Sequence, residues 1–188
     1  PEPPILDGSS KFFVEALEKA GIKYLENERE EYIVKEVISY YDKDSGSDIT
    51  VIPSENYEVT AMVDFGTKIL GTQNATMKNL SQFKDEFANA RTFSFLHEIE
   101  MLLDNGLIKG GDLNEAARHK LLDVIGDLAL LGTRIKGKVI ANKPGHFVNT
   151  SFAKHLSSHI KKEKRNLVSG IDLSKPPLMD VKQIEEIL

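Results

Sequence analysis

The sequence contains no cysteine and no tryptophan. Lack of cysteine excludes disulfides, thiolate nucleophiles and sulfur-ligated zinc together, so a metal could be held only by histidine and carboxylate. Long apolar runs are missing too: each is only a few residues, far short of the roughly 20 that cross a bilayer. No basic-then-apolar leader opens the chain. Positive charge is outnumbered, with 24 Lys and Arg against 29 Asp and Glu and a net charge of -5, which argues against general nucleic-acid binding. The local basic cluster of Lys161, Lys162, Lys164 and Arg165 is expected to complement a helix C-terminus. No P-loop, dinucleotide fingerprint, Gly-x-Ser-x-Gly elbow or His-Glu-x-x-His motif is present, so kinase, Rossmann and serine hydrolase classes lose support. A soluble, cytoplasmic globular protein is the expectation.

What is present reads as an α+β chain of 188 residues. Capping residues at Asp7, Ser9 and Ser10 precede a helical pattern over 9–20, and Gly21 is its stop. From Glu31 the apolar period becomes two, through Tyr32 to Val34, Val37 to Tyr41 and Tyr57 to Phe65, with turn signals between, which predicts an antiparallel meander. The polar stretch 71–79 leads to a short helix over 81–89 and to a second helical stripe at Leu96, Ile99, Leu102 and Leu103. A strand over 135–141 and the turn Lys143-Pro144-Gly145 then introduce a helix opening at His146, with Val148, Phe152, Leu156 and Ile160 as its buried stripe.

The chain is organised around the helix predicted over 118–132. Its leucines, Val124 and Ile125 would cover most of its circumference, while His119, Asp123 and Asp127 recur at four-residue spacing on one narrow face. Burying such groups is costly unless they are paired or bound to a metal. His119 and Asp123 could reach one ion, or form a helical ion pair; zinc needs a third protein ligand that this spacing does not supply. His146, projected from a tight turn, is either an exposed loop histidine or a general acid whose partner is an aspartate elsewhere. Lys120 points about one hundred degrees away from the metal face and could meet a phosphate or an oxyanion, or simply be solvated. His97, His155 and His159 read as surface or packing histidines.

Three stretches carry a more specific resemblance. A-R-T-F-S-F-L-H-E-I-E-M-L-L-D-N-G-L-I-K-G-G from Ala90, R-H-K-L-L-D-V-I-G-D-L from Arg118 and K-P-G-H from Lys143 resemble, in order, the zinc-dependent UDP-3-O-acyl-N-acetylglucosamine deacetylases (LpxC) of lipid A synthesis. P-I-L-D-G-S-S from Pro4 is similar to that family's domain-junction motif, and the resemblance covers residues 3–162. It implies an α+β second deacetylase domain, a sheet packed on helices. It also implies zinc as cofactor, an acylated UDP-glucosamine as substrate, and hydrolysis of an acetamide by metal-activated water. By the same resemblance His119 and Asp123 match two of three zinc ligands, His146 the catalytic histidine and Asp127 the carboxylate that orients it. Thr92 and Lys120 match residues near the oxyanion and the nucleotide-sugar phosphates; Phe93, Leu96, Ile99 and Ile108 match positions lining substrate or its acyl chain.

The family's third zinc ligand and its general-base glutamate lie upstream of the P-I-L-D-G-S motif, so the expectation is that the chain begins inside a larger protein. The family also carries a few tens of residues between its G-G-x-L segment and its R-H-K helix, where this sequence runs directly from Leu113 to Asn114. The predicted organisation is the tail of a first deacetylase domain (1–30), a second deacetylase domain (31–165) with a segment missing near 113–115, a linker (166–180) and the start of a further domain (181–188). That last piece, P-P-L-M-D-V-K-Q-I-E-E-I-L, resembles the opening of a 3-hydroxyacyl-acyl-carrier-protein dehydratase (FabZ), which implies a fused or neighbouring dehydratase. Two alternatives stand beside the enzyme reading: a non-catalytic folded fragment that binds ligand or another domain, and a His-Asp stripe that is only an ion-pair network.

Overall fold

The computed structural model describes residues 6–23, 25–26, 30–64, 66, 71–92 and 114–169. The chain divides into two compact units, Pro1–Leu156 and Ser157–Leu188. The first contains helix α1 (Lys11–Ala20), strands β1 (Glu31–Ile33), β2 (Ile38–Asp42), β3 (Ser47–Ile52), β4 (Tyr57–Asp64) and β5 (Thr72–Met77), helix α2 (Glu115–Ala129) and strand β6 (Arg134–Asn142). Helix α3 (His146–Ser169) begins there, and its residues 157–169 are the described part of the second unit.

A mixed sheet packed with helices is the α+β arrangement expected, but its strand order corrects the meander. The order is β2-β3-β6-β4-β5, with β1 alongside the first residues of β6. β6 therefore lies between β3, to which it is antiparallel, and β4, to which it is parallel. Alternation reports which face of a strand is buried and carries no information about its neighbour, so the runs read did not fix the pairing, and β3, within the stretch read as turns between two of them, takes β6 on its far side. β5 falls in the polar stretch 71–79; only Ala75 and Met77 of its six residues are buried, because it is an edge strand with one apolar face.

The core follows the register. Ile49, Ala141 and Ala61 form one row across β3, β6 and β4, and Val51, Val139 and Val59 the next, all fully buried. Each larger side chain buried here contributes about 1.5–3 kcal/mol. Hydroxyl pairs mark the opposite face: Ser39 with Thr50 at 2.9 Å and Thr60 with Thr76 at 3.0 Å.

Four helical expectations are refined. α1 stops at Gly21 as anticipated, but it has no buried residue, and Phe12, Phe13 and Leu17 are exposed. Residues 81–89 form a 3-10 turn, Leu80–Gln82, and a wide π turn, Phe83–Phe87, which closes with Ala88 N–H donating to Phe83 O at 2.8 Å. α2 is buried along Ala117, Leu121, Val124 and Leu128 rather than all round; Leu122, Ile125 and Leu131 are half-buried. It packs on β4 and β5. Val148, Phe152 and Leu156 of α3 are buried as expected. α3 runs through 166–169 to Ser169 and has no basic residue in its last turn, so the basic cluster lies inside the helix rather than at its end. The second helical stripe at 96–103, His97 and residues 170–188 lie outside the described residues.

Candidate functional site

Two His–Asp pairs lie a turn apart along one face of α2, the second completed by a histidine from α3. In the first, His119 and Asp123 stand at i and i+4, with Nε2 of the imidazole 3.5 Å from Oδ1 of the carboxylate, both side chains about nine-tenths buried. Nδ1 of His119 lies 3.0 Å from the Ala90 carbonyl. A carbonyl only accepts, so Nδ1 carries the proton of this bond and Nε2 is the nitrogen turned to Asp123. Lys120 Nζ donates to Asp123 Oδ2 at 2.9 Å. The lysine that departs sideways from the helix thus returns to the candidate ligand, because its four-carbon stem spans the gap.

The Ala90 carbonyl is held by residues distant in sequence. Asp7 Oδ1 accepts from the N–H and hydroxyl of Ser9, at 3.0 and 2.7 Å, and these bonds hold the Asp7 carboxyl below its ordinary range. The chain then turns through Gly8, whose carbonyl accepts from Thr92 N–H at 2.7 Å, while Ser10 Oγ donates to Ala88 O at 3.1 Å. A Cβ on Gly8 would lie 2.9 Å from Thr92 Cγ2, and its φ of +79° favours glycine in any case. The D-G-S-S stretch is therefore a clamp on residues 88–92, and through Ala90 on His119.

Two arginines fasten the same segment to the start of α2. Arg118 donates to Glu86 O at 2.9 Å and to Asn89 Oδ1 at 3.0 Å. Arg91 forks onto Glu115 through Nε at 2.7 Å and Nη2 at 3.2 Å, and holds the Glu115 carboxyl below its ordinary value of 4.5. A carboxyl depressed in the folded state stabilises above its unfolded value, and that contribution disappears as pH falls through the folded one. The stability gap between the unaltered chain and Glu115→Gln is therefore expected to be present at neutral pH and to close in the acid range below 4.5, read by urea denaturation across pH.

In the second pair, His146 Nδ1 lies 2.9 Å from Asp127 Oδ2, bringing together residues from α3 and α2. The His146 side chain is 70% exposed and Asp127 only 15%. His146 opens α3 from a turn locked on three sides. Lys143 N–H donates to Met62 O at 2.8 Å, the buried Ser47 hydroxyl donates to Lys143 O at 2.8 Å, and Asn142 Nδ2 donates to Asp48 Oδ1 at 3.0 Å. Lys143 itself has φ of +50°, an uncommon conformation held by these bonds.

The structure thus brings His119 with Asp123 and Lys120, and His146 with Asp127. Thr92 is exposed, two residues beyond Ala90 and tied to Gly8; Phe93, Leu96, Ile99 and Ile108 lie outside the described residues. His155 is exposed, its ring 6.3 Å from Tyr40. Sequence reasoning missed Ala90, Ser47, Glu115 and Asn149. The last could have been found, since three residues beyond His146 on a helix is the same face.

A borderline ion such as zinc suits one imidazole nitrogen and one carboxylate oxygen, and the acceptor behind Nδ1 is the outer-shell partner that metal-binding histidines use. His119 and Asp123 fit that donor set. Among the described residues no group of three His, Asp or Glu that could hold a metal is formed. No described helix is long and apolar enough to cross a membrane.

Comparison with known proteins bears on the family. The family described as UDP-3-O-acyl N-acetylglycosamine deacetylase (LpxC) matches residues 1–116 and 113–158. The chain is 38% identical over 232 aligned positions to a Bacteroides thetaiotaomicron protein named bifunctional enzyme LpxC/FabZ, covering all of this chain and 50% of that protein. A Porphyromonas gingivalis protein of the same name is 34% identical with the same coverage. A UDP-3-O-acyl-N-acetylglucosamine deacetylase of Geotalea uraniireducens is 38% identical over 84% of this chain and 58% of its own length. The chain spans about half the length of the curated relatives it matches.

Proposed function

We propose that this chain, which belongs to the UDP-3-O-acyl N-acetylglycosamine deacetylase family, supplies one side of a zinc-dependent active site that removes the N-acetyl group from a UDP-3-O-(3-hydroxyacyl)-N-acetylglucosamine. The observation that carries the reading is the pairing of His119 with Asp123 and of His146 with Asp127 along one face of α2. Such a step belongs to lipid A synthesis. The likeness to proteins named LpxC/FabZ supports a dehydratase unit on the same polypeptide.

His119 Nε2 and Asp123 Oδ1 would hold the zinc, which when bound supplies Lewis acidity toward a carbonyl and a lowered pKa for water. Ala90 keeps His119 in the tautomer whose Nε2 faces Asp123, and Lys120 fixes the other Asp123 oxygen. His146 keeps Nδ1 on Asp127, and in the doubly protonated ring its Nε2–H would deliver a proton to the departing amine and donate to the developing oxyanion. Thr92 and Lys120 would lie toward the oxyanion and the nucleotide phosphates, and Phe93, Leu96, Ile99 and Ile108 toward the acyl chain.

A third zinc ligand and a general base would come from residues outside these two pairs. The family matches break at 113–116, and 232 aligned positions exceed the 188 residues of the chain. Both facts support relatives carrying extra residues ahead of α2. Because two protein ligands do not complete a catalytic zinc site, the second reading is that this chain alone binds ligand without turnover.

The test is acetate release from the acylated UDP-N-acetylglucosamine by the full-length protein that carries this chain. Activity that needs zinc and is lost on Asp123→Ala is the expected result. Release unaffected by that substitution would remove the reading.

A further inference from the structure

The geometry points to Asn149 as a positioning residue for the His146–Asp127 pair, whose amide fixes the Asp127 oxygen that in turn sets the His146 tautomer. Asn149 is fully buried in α3, one turn beyond His146. Its Nδ2 donates to Asp127 Oδ2 at 2.8 Å, and that same oxygen faces His146 Nδ1 at 2.9 Å. Its backbone N–H donates to Gly145 O at 2.8 Å, so the residue touches both the carboxylate and the turn that projects the histidine.

The orientation of the amide follows from chemistry. A carboxylate only accepts, so Nδ2 and not Oδ1 must face Asp127. Turning the amide over would set two oxygens against each other. Asn149 Oδ1 is consequently left buried with no hydrogen-bond partner among the described residues. A buried orphan acceptor weakens a fold, and an aliphatic side chain of similar volume would avoid it. Packing alone therefore does not account for asparagine here; donation to Asp127 does. With Oδ2 fixed, the mostly exposed His146 ring is held Nδ1–H toward Asp127, which leaves Nε2 unprotonated in the neutral ring. The purpose of that positioning, proton transfer at Nε2, rests on the reading given above.

Long-range 1H–15N NMR of the full-length protein that carries this chain, with the spectra followed across pH, reads the tautomer of each histidine. The unaltered chain is expected to show His146 mainly as Nδ1–H. Asn149→Leu keeps the buried volume and removes both the donor and the orphan. It is expected to retain the melting temperature while shifting the His146 ratio toward Nε2–H by about tenfold, the effect of one lost hydrogen bond. An unchanged tautomer in the folded Leu variant would overturn the proposal. If that variant does not fold, Asn149→Ala, which loses the donor without adding bulk or charge, decides on the same readout. Turnover is not measured here. Failure of acetate release would sink the functional reading alone, and an unmoved tautomer would sink this one alone.

Discussion

Replacing His146 by alanine is expected to lower kcat for acetate release by the full-length protein by about 10²–10⁴-fold, the usual worth of a positioned general acid or base. The fold should scarcely notice. The ring is 70% exposed, and surface substitutions of this kind change stability by about 0.5 kcal/mol or less. Asp127 acts only through His146 in this account, so Asp127→Ala should reduce kcat too, and the double variant should be little worse than His146→Ala. Additive losses would mean that the two carboxylate and imidazole groups work separately. Steady-state kinetics with a melting curve on each variant separates lost chemistry from lost structure.

Gly137→Ala is expected to do the opposite, harming the fold and not the chemistry directly. Gly137 sits in β6 where that strand passes from β1 to its partners β3 and β4. A Cβ there would lie 2.6 Å from Val34 Cγ2 and 3.1 Å from Ile52 O. The first atom belongs to a buried, β-branched side chain and the second to backbone, so neither yields cheaply. We expect a loss of about 3 kcal/mol, the upper part of the range for overpacking, measured by urea denaturation. Since β6 ends in the turn that carries His146, a folded Gly137→Ala protein that kept full stability would show that β1 is not seated against this strand.

Much of the site was legible because the informative spacings are local. His119, Asp123 and Asp127 share a face by helix geometry alone, and Pro144-Gly145 announces the turn before His146. The side chains that tune these groups were not legible, because they act across the fold. Ser47 reaches Lys143 over 96 residues of sequence, and Ala90 contributes only a carbonyl, which every residue possesses. The same limit explains the sheet. Alternation over 57–65 revealed the buried face of β4, whereas β3 was not among the runs read, and the entry of β6 between β3 and β4 depends on pairings far apart in sequence. β5 was hidden by composition, since T-Q-N-A-T-M has too few apolar residues to announce a strand. α1 shows the converse: its pattern gave the helix correctly, yet a helical apolar stripe does not say what it packs on, and here its residues are exposed.

The central claim is a division of labour along α2, with His119 and Asp123 holding metal and Asp127 and His146 handling protons. Zinc content per full-length chain after exhaustive dialysis, measured for the unaltered protein and for alanine variants at these four positions, tests it most directly. The account predicts about one zinc per chain in the unaltered protein, in His146→Ala and in Asp127→Ala, with zinc lost from His119→Ala and Asp123→Ala. Full zinc retained by the latter two variants, or zinc lost equally from all four, would contradict it.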